Sequence, residues 1–214
     1  MENIDIFNSR EDYNKSKIDF NCLPENPMLL FEKWIAIAVE NNNKESIPFV
    51  LSTVSIKNIP SSRVVLLRNI LNEGLFFYTN YNSKKSKDIE VNNVVAANFF
   101  WKDLEKQIRV TGEVNKISNE LSDVYFASRP RNSQLSAWSS NQSEILDFNF
   151  DLDDKVNFYS KKFFNQDVKR PDNWGGYCIN PHEIEFWQGR PSRLHDRIKY
   201  FLDKGKWHKM RISP

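Results

Sequence analysis

The sequence predicts a mainly β fold: a closed antiparallel barrel with peripheral α-helices, for which an open α+β sheet is the structural alternative. Three observations predict it. Short runs rich in β-branched and aromatic residues recur along most of the chain, set apart by turn-like stretches such as "KNIP", "LNE" and "DKG". Helical periodicity is confined to a few inserted segments. No internal repeat or low-complexity linker interrupts the 214 residues, a length that suits one domain with small additions.

In chain order, residues 1–25 are polar, lack clear periodicity and read as a flexible N-terminal arm able to close over a site. Residues 26–214 read as a single domain. "NPMLLFEKWIAIAVE" (26–40) predicts a helix, with Asn26 as N-cap, Pro27 in the first turn and Leu30, Phe31, Trp34 and Ala38 on one apolar stripe. "FVLSTVSI" (49–56), "SSRVVLLRNI" (61–70) and "GLFFYTN" (74–80) read as a meander of strands. A short helix follows over 82–92, capped by Asn82 or Ser83, then strands over 94–101 and 105–117. Helices are expected over 118–130, stopped by Pro130, and over 152–164. The tail returns to strands: "WGGYCIN", "EIEFWQG", "SRLHDRIKYFL" and "KWHKMRI", the last two joined by "DKG" as a hairpin, for roughly eight strands in all.

Composition removes several function classes. A formal net charge of +2 is too small for a general nucleic-acid binder, so any basic site is local. Two distant cysteines, Cys22 and Cys178, without CxxC or a Cys/His cluster, predict no metal site and a reducing compartment. No N-terminal apolar leader and no membrane-length apolar run is seen, so a cytoplasmic location is expected. Six glycines, with neither GxGxxG nor a P-loop, mean that a bound phosphate would be held chiefly by Arg and Lys side chains.

Four clusters carry candidate chemistry. Arg63 and Arg68 sit at odd spacing, so on one regular strand they face opposite sides. Lys84 and Lys85 follow the strand "FFYTN"; such a pair is ordinarily solvated surface. In "VYFASRPRNSQLSAW", Tyr125 and Arg129 share a helical face, and Pro130 brings Ser133 round a turn, which makes a plausible phosphate pocket. A helix-end arginine favoured by the dipole is the plainer explanation. In "RPSRLHDR", Arg193, His195 and Arg197 alternate; as a strand they form one cationic face that calls for an anion, whereas on a helix His195 lies opposite the arginines. Trp187 would supply a flat wall, and His195 can exchange a proton near neutrality. Gln107, inside a strand, is most simply on a wet face, or else an amide aimed at a heteroaromatic edge.

The segments "SRVVLLR", "FFYTNYNSKKSKDI", "LEKQIRVTGEV", "YFASRPRNSQLSAW", "NQS", "WGGY" and "IEFWQGRPSRLHDR", in this order, resemble the pyridoxamine 5′-phosphate oxidase family over nearly the whole chain. The resemblance implies an FMN-binding split β-barrel working as a homodimer, with two FMN molecules at the subunit interface and residues of both chains at each. It implies FMN contacts from Arg63, Val64, Val65, Leu66, Leu67 and Arg68, from Tyr78, Thr79, Lys84 and Lys85, and from Gln107, Gln142, Ser143, Trp187 and Arg197. Arg63 and the lysine pair would hold the FMN phosphate, and Gln107 would meet the isoalloxazine edge. It places Arg68, Tyr125, Arg129 and Ser133 around a substrate phosphate and Arg193, Leu194 and His195 over a pyridine ring. Arg193 and His195 are the implied catalytic pair. The arm residues Arg10, Glu11, Asp12 and Tyr13 would close on the substrate. Position 68 is Arg where the family commonly has Lys, and Arg190 stands where small residues are usual.

The implied chemistry is oxidation of pyridoxamine or pyridoxine 5′-phosphate at C4′ by hydride transfer to the flavin. Molecular oxygen then accepts the electrons as hydrogen peroxide, and ammonia leaves from the amine. A split-barrel flavoenzyme acting on another aromatic substrate, such as a phenazine precursor, would lack the substrate phosphate set. A non-catalytic flavin- or pyridoxal-phosphate-binding module is the other alternative. A nucleic-acid-binding barrel would need an extended basic face.

Overall fold

The computed structural model describes residues 12–42 and 47–214. Within them lie five α-helices, two short 3₁₀ turns and a nine-stranded sheet. The helices are α1 (Pro27–Asn42), α2 (Lys84–Val91), α3 (Asn119–Ser128), α4 (Arg131–Ser139) and α5 (Leu152–Lys162). The strands are β1 (Ile47–Val54), β2 (Pro60–Leu67), β3 (Asn69–Leu71), β4 (Gly74–Asn80), β5 (Val94–Trp101), β6 (Lys106–Lys116), β7 (Trp174–Gln188), β8 (Asp196–Asp203) and β9 (Lys206–Arg211). The sheet order is β2-β1-β5-β6-β7-β4-β3, with β8 on β7 and β9 on β8. The pairs β1–β2, β3–β4, β4–β7, β7–β8 and β8–β9 are antiparallel.

Contacts divide the described chain into two compact units. The first holds residues up to 42 with 98–110 and 182–214, and the second holds 47–97 and 111–181. In the first unit, α1 starts as its sequence dictates: the Asn26 side chain accepts from the Met28 N–H at 2.9 Å. Its apolar stripe buries Phe31, Trp34 and Ala38. Phe31 meets Phe99 edge-on at 5.4 Å and Trp34 meets Phe186 at 5.3 Å. Each such aromatic contributes about 1.5–3 kcal/mol by leaving water. In the second unit, Phe49, Phe77 and Tyr177 form one buried group, and Phe126, Leu135, Phe163, Val168 and Trp174 form another beneath α3–α5.

Four sequence expectations change. "SSRVVLLRNI" is two strands, because β2 ends where its pairing with β1 ends, at Leu67 opposite Ile47. Pro130 does stop α3, but it also opens α4, which the sparse apolar pattern of "RNSQLSAWS" concealed; Ser133 lies on that helix, not in a turn. "WGGYCIN" and "EIEFWQG" are one strand, β7, in which Pro181 falls between the last β4 partner, Ile179, and the first β8 partner, Glu183. Finally, β8 begins only at Asp196, so Arg193 and His195 precede it.

Candidate active site

The second unit holds a cavity of about 630 Å³, within the usual range for small-molecule sites. β2 supplies Arg63, Val64, Val65 and Leu66, and Arg68 follows just past its end. Arg63 and Arg68 therefore share one wall despite their odd spacing, because the strand has ended between them. Tyr78, Thr79 and Asn80 come from the end of β4, and Lys84 and Lys85 from the start of α2. Tyr125 and Arg129 come from the last turn and C-cap of α3, and Gln142 and Ser143 from the segment after α4. Five cations line the cavity and no carboxylate does.

Two of these cations lack a countercharge. Lys85 is buried, and its ammonium donates only to neutral oxygens, Thr79 Oγ1, Ser83 Oγ and Gln142 Oε1, each at 2.9 Å. Burial, aided by repulsion from Arg63, pulls its pKa down to about 8. Arg129 stacks its guanidinium 4.5 Å from the Trp174 ring, and its buried Nη1 has no hydrogen-bond partner. Burial lowers its pKa, with Tyr125 opposing. Beside it, Tyr78 and Tyr125 stack at 3.7 Å, and Tyr78 stacks on Trp174 at 5.7 Å. A buried donor without an acceptor costs free energy, so an anion at this wall would offset that cost, and the stacked rings offer it an apolar surface.

Among the sequence candidates, Leu67 is buried away from this wall and Ser133 does not line it; Ser136, Ala137 and Ser140 do, from further along α4. Those three, with Asn80 and Trp174, were missed. Trp174 opens the "WGGY" motif and could have been flagged as a stacking partner; the α4 residues had no signal once that helix was read as a turn.

The first unit gathers a second group. Gln107 Nε2 donates to Asn98 Oδ1 at 2.7 Å across β6 and β5. His195 packs 4.7 Å from Trp187, and Tyr13 caps both at 5.7 and 5.9 Å. A Cβ on Gly189 would come within 2.7 Å of Tyr13, so the closeness of this cap requires glycine there. His195 Nδ1 accepts the Arg190 N–H at 3.1 Å, which leaves its proton on Nε2. Burial and the charges of Arg193 and Arg197 lower its pKa, which favours the neutral ring. Ser192 and Arg193 both have positive φ, 57° and 60°, and Arg193 and Leu194 are exposed. Arg197 differs: it pairs with buried Glu185, with Nη2 to Oε1 at 2.7 Å, and Nη1 donates to the Ser213 carbonyl at 2.8 Å. Within the chain, its anion is a carboxylate. Asp12 is exposed, while Arg10 and Glu11 lie outside the described residues. Among the described residues no group of His, Cys, Asp and Glu could hold a metal ion, and no helix is long and apolar enough to cross a membrane.

The fold has solved counterparts. PhzG from Burkholderia lata 383, crystallised with tetrahydrophenazine-1-carboxylic acid, superposes with a TM-score of 0.86 at 24% identity, covering 94% of this chain and all of that one. A pyridoxamine 5′-phosphate oxidase-related, FMN-binding protein from Nostoc punctiforme gives 0.72 at 16% identity, covering 90% of this chain and 100% of its own. The fold is thus the antiparallel split barrel found among FMN-binding proteins. A family model described as pyridoxamine 5′-phosphate oxidase matches residues 37–172, and one described as the pyridoxine 5′-phosphate oxidase C-terminal dimerisation region matches residues 174–214. The proteins named pyridoxine/pyridoxamine 5′-phosphate oxidase from Mannheimia succiniciproducens and Neisseria gonorrhoeae are each 44% identical over 211 residues, 99% of this chain and 100% of theirs. The chain belongs to the pyridoxamine 5′-phosphate oxidase family.

Proposed function

We propose that this protein is an FMN-dependent oxidase that converts pyridoxamine 5′-phosphate or pyridoxine 5′-phosphate to pyridoxal 5′-phosphate. In this reading oxygen is reduced to hydrogen peroxide, and ammonia leaves from the amine substrate. The observation that carries it is the acid-free cavity in which Lys85 and Arg129 hold positive charge without a countercharge. Two phosphate esters, one on the cofactor and one on the substrate, would supply what these cations lack. Both proposed ligands also carry aromatic rings, which suits the stacked wall of Tyr78, Tyr125 and Trp174.

FMN fits the residues present. Arg63, Lys84 and Lys85 would bind its phosphate, Thr79, Gln142 and Ser143 would position it, and Gln107 and Trp187 would meet the ring system. The flavin would supply the two-electron chemistry. Arg68, Tyr125 and Arg129 would hold the substrate phosphate and so fix the reacting carbon. Arg193, presented on strained backbone, would orient the ring and help remove the C4′-side proton. His195, anchored through Nδ1, would donate from Nε2. Asp12 and Tyr13, with Arg10 and Glu11, would cover the substrate. The protein would act as a homodimer, as its match to a dimerisation region supports, with residues of both copies at each flavin.

Turnover tests this directly. The FMN-loaded protein should consume oxygen and form peroxide in equal amounts with either phosphate ester, releasing ammonia from the amine alone. Absence of oxygen uptake with both esters would reject the oxidase.

A further inference from the structure

One carboxylate stands behind the cationic wall. Asp88, in α2, is 5% exposed and does not line the cavity. Its Oδ2 accepts from Thr53 Oγ1 at 2.7 Å, from Ser61 Oγ at 3.2 Å and from Lys84 Nζ at 3.1 Å. Three elements converge on it. The β1–β2 register sets Thr53 opposite Ser61, and α2 places Lys84 one turn before Asp88. Burial pushes the Asp88 pKa up, but the hydrogen bonds from Thr53, Lys84 and Ser61 and the Lys84 charge outweigh it, and the carboxyl lies below its ordinary value.

A carboxylate can only accept. Each hydroxyl therefore gives it its one proton and keeps its lone pairs for donors on the other side. Those donors are chiefly Arg63's: Nη1 reaches Thr53 Oγ1 at 2.8 Å and Nη2 reaches Ser61 Oγ at 2.5 Å, with Lys84 Nζ also on Ser61 Oγ at 3.1 Å. The Leu51 carbonyl also takes Nη1, at 3.1 Å.

We infer that Asp88 is a positioning residue for the phosphate-binding cations: by fixing the direction of the Thr53 and Ser61 hydroxyls it aims Arg63, and by ion pairing it holds Lys84. The inference rests on reading this cavity as the FMN phosphate site. Charge alone predicts the opposite effect, because an anion behind an anion site repels the ligand and its removal would tighten binding. Preorganisation predicts that its removal weakens binding. An asparagine at 88 would offer donors where only acceptance is wanted, so a hydroxyl would turn round and Arg63 would lose an acceptor.

The test compares FMN with riboflavin, which lacks the phosphate, by quenching of flavin fluorescence on the flavin-free protein. For Asp88→Asn the FMN Kd should rise about tenfold or more, the riboflavin Kd should stay within about twofold, and Asp88→Glu should restore part of the loss. A purely structural defect would weaken both ligands together. Should Asp88→Asn fail to fold, Thr53→Val with Ser61→Ala removes the relay and keeps the charge, and the same FMN-selective loss is expected. An FMN Kd that is unchanged or lower, or an equal loss for riboflavin, overturns the inference while leaving the phosphate site intact. A wild-type protein that binds FMN no tighter than riboflavin removes the phosphate site itself, and the inference with it.

Discussion

Lys85 is the residue on which the binding chemistry turns. A buried ammonium whose partners are two hydroxyls and an amide oxygen is costly to keep charged, and its pKa of about 8 records that cost. The sign follows from linkage. The unfolded chain binds this proton more tightly, so folding of the flavin-free protein gains stability from this group as pH rises from about 8 towards the ordinary lysine value. Phosphate binding favours the charged form, so FMN affinity should fall as pH rises through about 8 while riboflavin affinity stays flat. Lys85→Met should abolish this pH step and weaken FMN about tenfold to a hundredfold, as fluorescence titrations from about one unit below to about one and a half units above that pKa would show. Arg129→Met should instead raise KM for the phosphate esters with little change in FMN affinity, because its unpaired Nη1 is assigned to substrate. Arg193→Ala should lower kcat sharply; wild-type turnover would remove Arg193 from the chemistry. These cations were legible in the sequence as residue types. Their common wall was not: odd spacing set Arg63 against Arg68 only while the strand was taken to continue, and its end at Leu67 is decided by pairing with β1.

At the scale of elements, local chemistry was read well wherever a single segment settles its own structure. The α1 cap and stripe appear as expected. So does the β8–β9 hairpin, whose loop residues Lys204 and Gly205 both take positive φ, 47° and 77°. Gly205 has no neighbour that a Cβ would touch. Gly205→Ala should therefore cost about 1 kcal/mol of backbone strain and nothing in packing, measurable as a shift of the denaturation midpoint with an unchanged slope. Elements that depend on partners were read less well. β7 continues through Pro181 because it changes partner there. The alternating trio of Arg193, His195 and Arg197 divides because strand pairing starts only at Gln188 with Asp196. Arg197 is thereby drawn to Glu185, while Arg193 remains exposed on a turn.

For the whole molecule, the family supplies what one chain cannot show. Residues 174–214 match a dimerisation region, and several large apolar side chains, among them Phe100, Phe148 and Leu194, are exposed in the single chain. A homodimer that shares its flavin sites should lose FMN affinity as it is diluted into monomers, with both transitions at the same protein concentration. The most direct test of the oxidase itself is an anaerobic titration of the FMN-loaded protein with pyridoxine 5′-phosphate, followed in the visible flavin band. The account predicts bleaching that saturates with substrate and reverses when air is admitted. A flavin band that stays oxidised in excess substrate would contradict it.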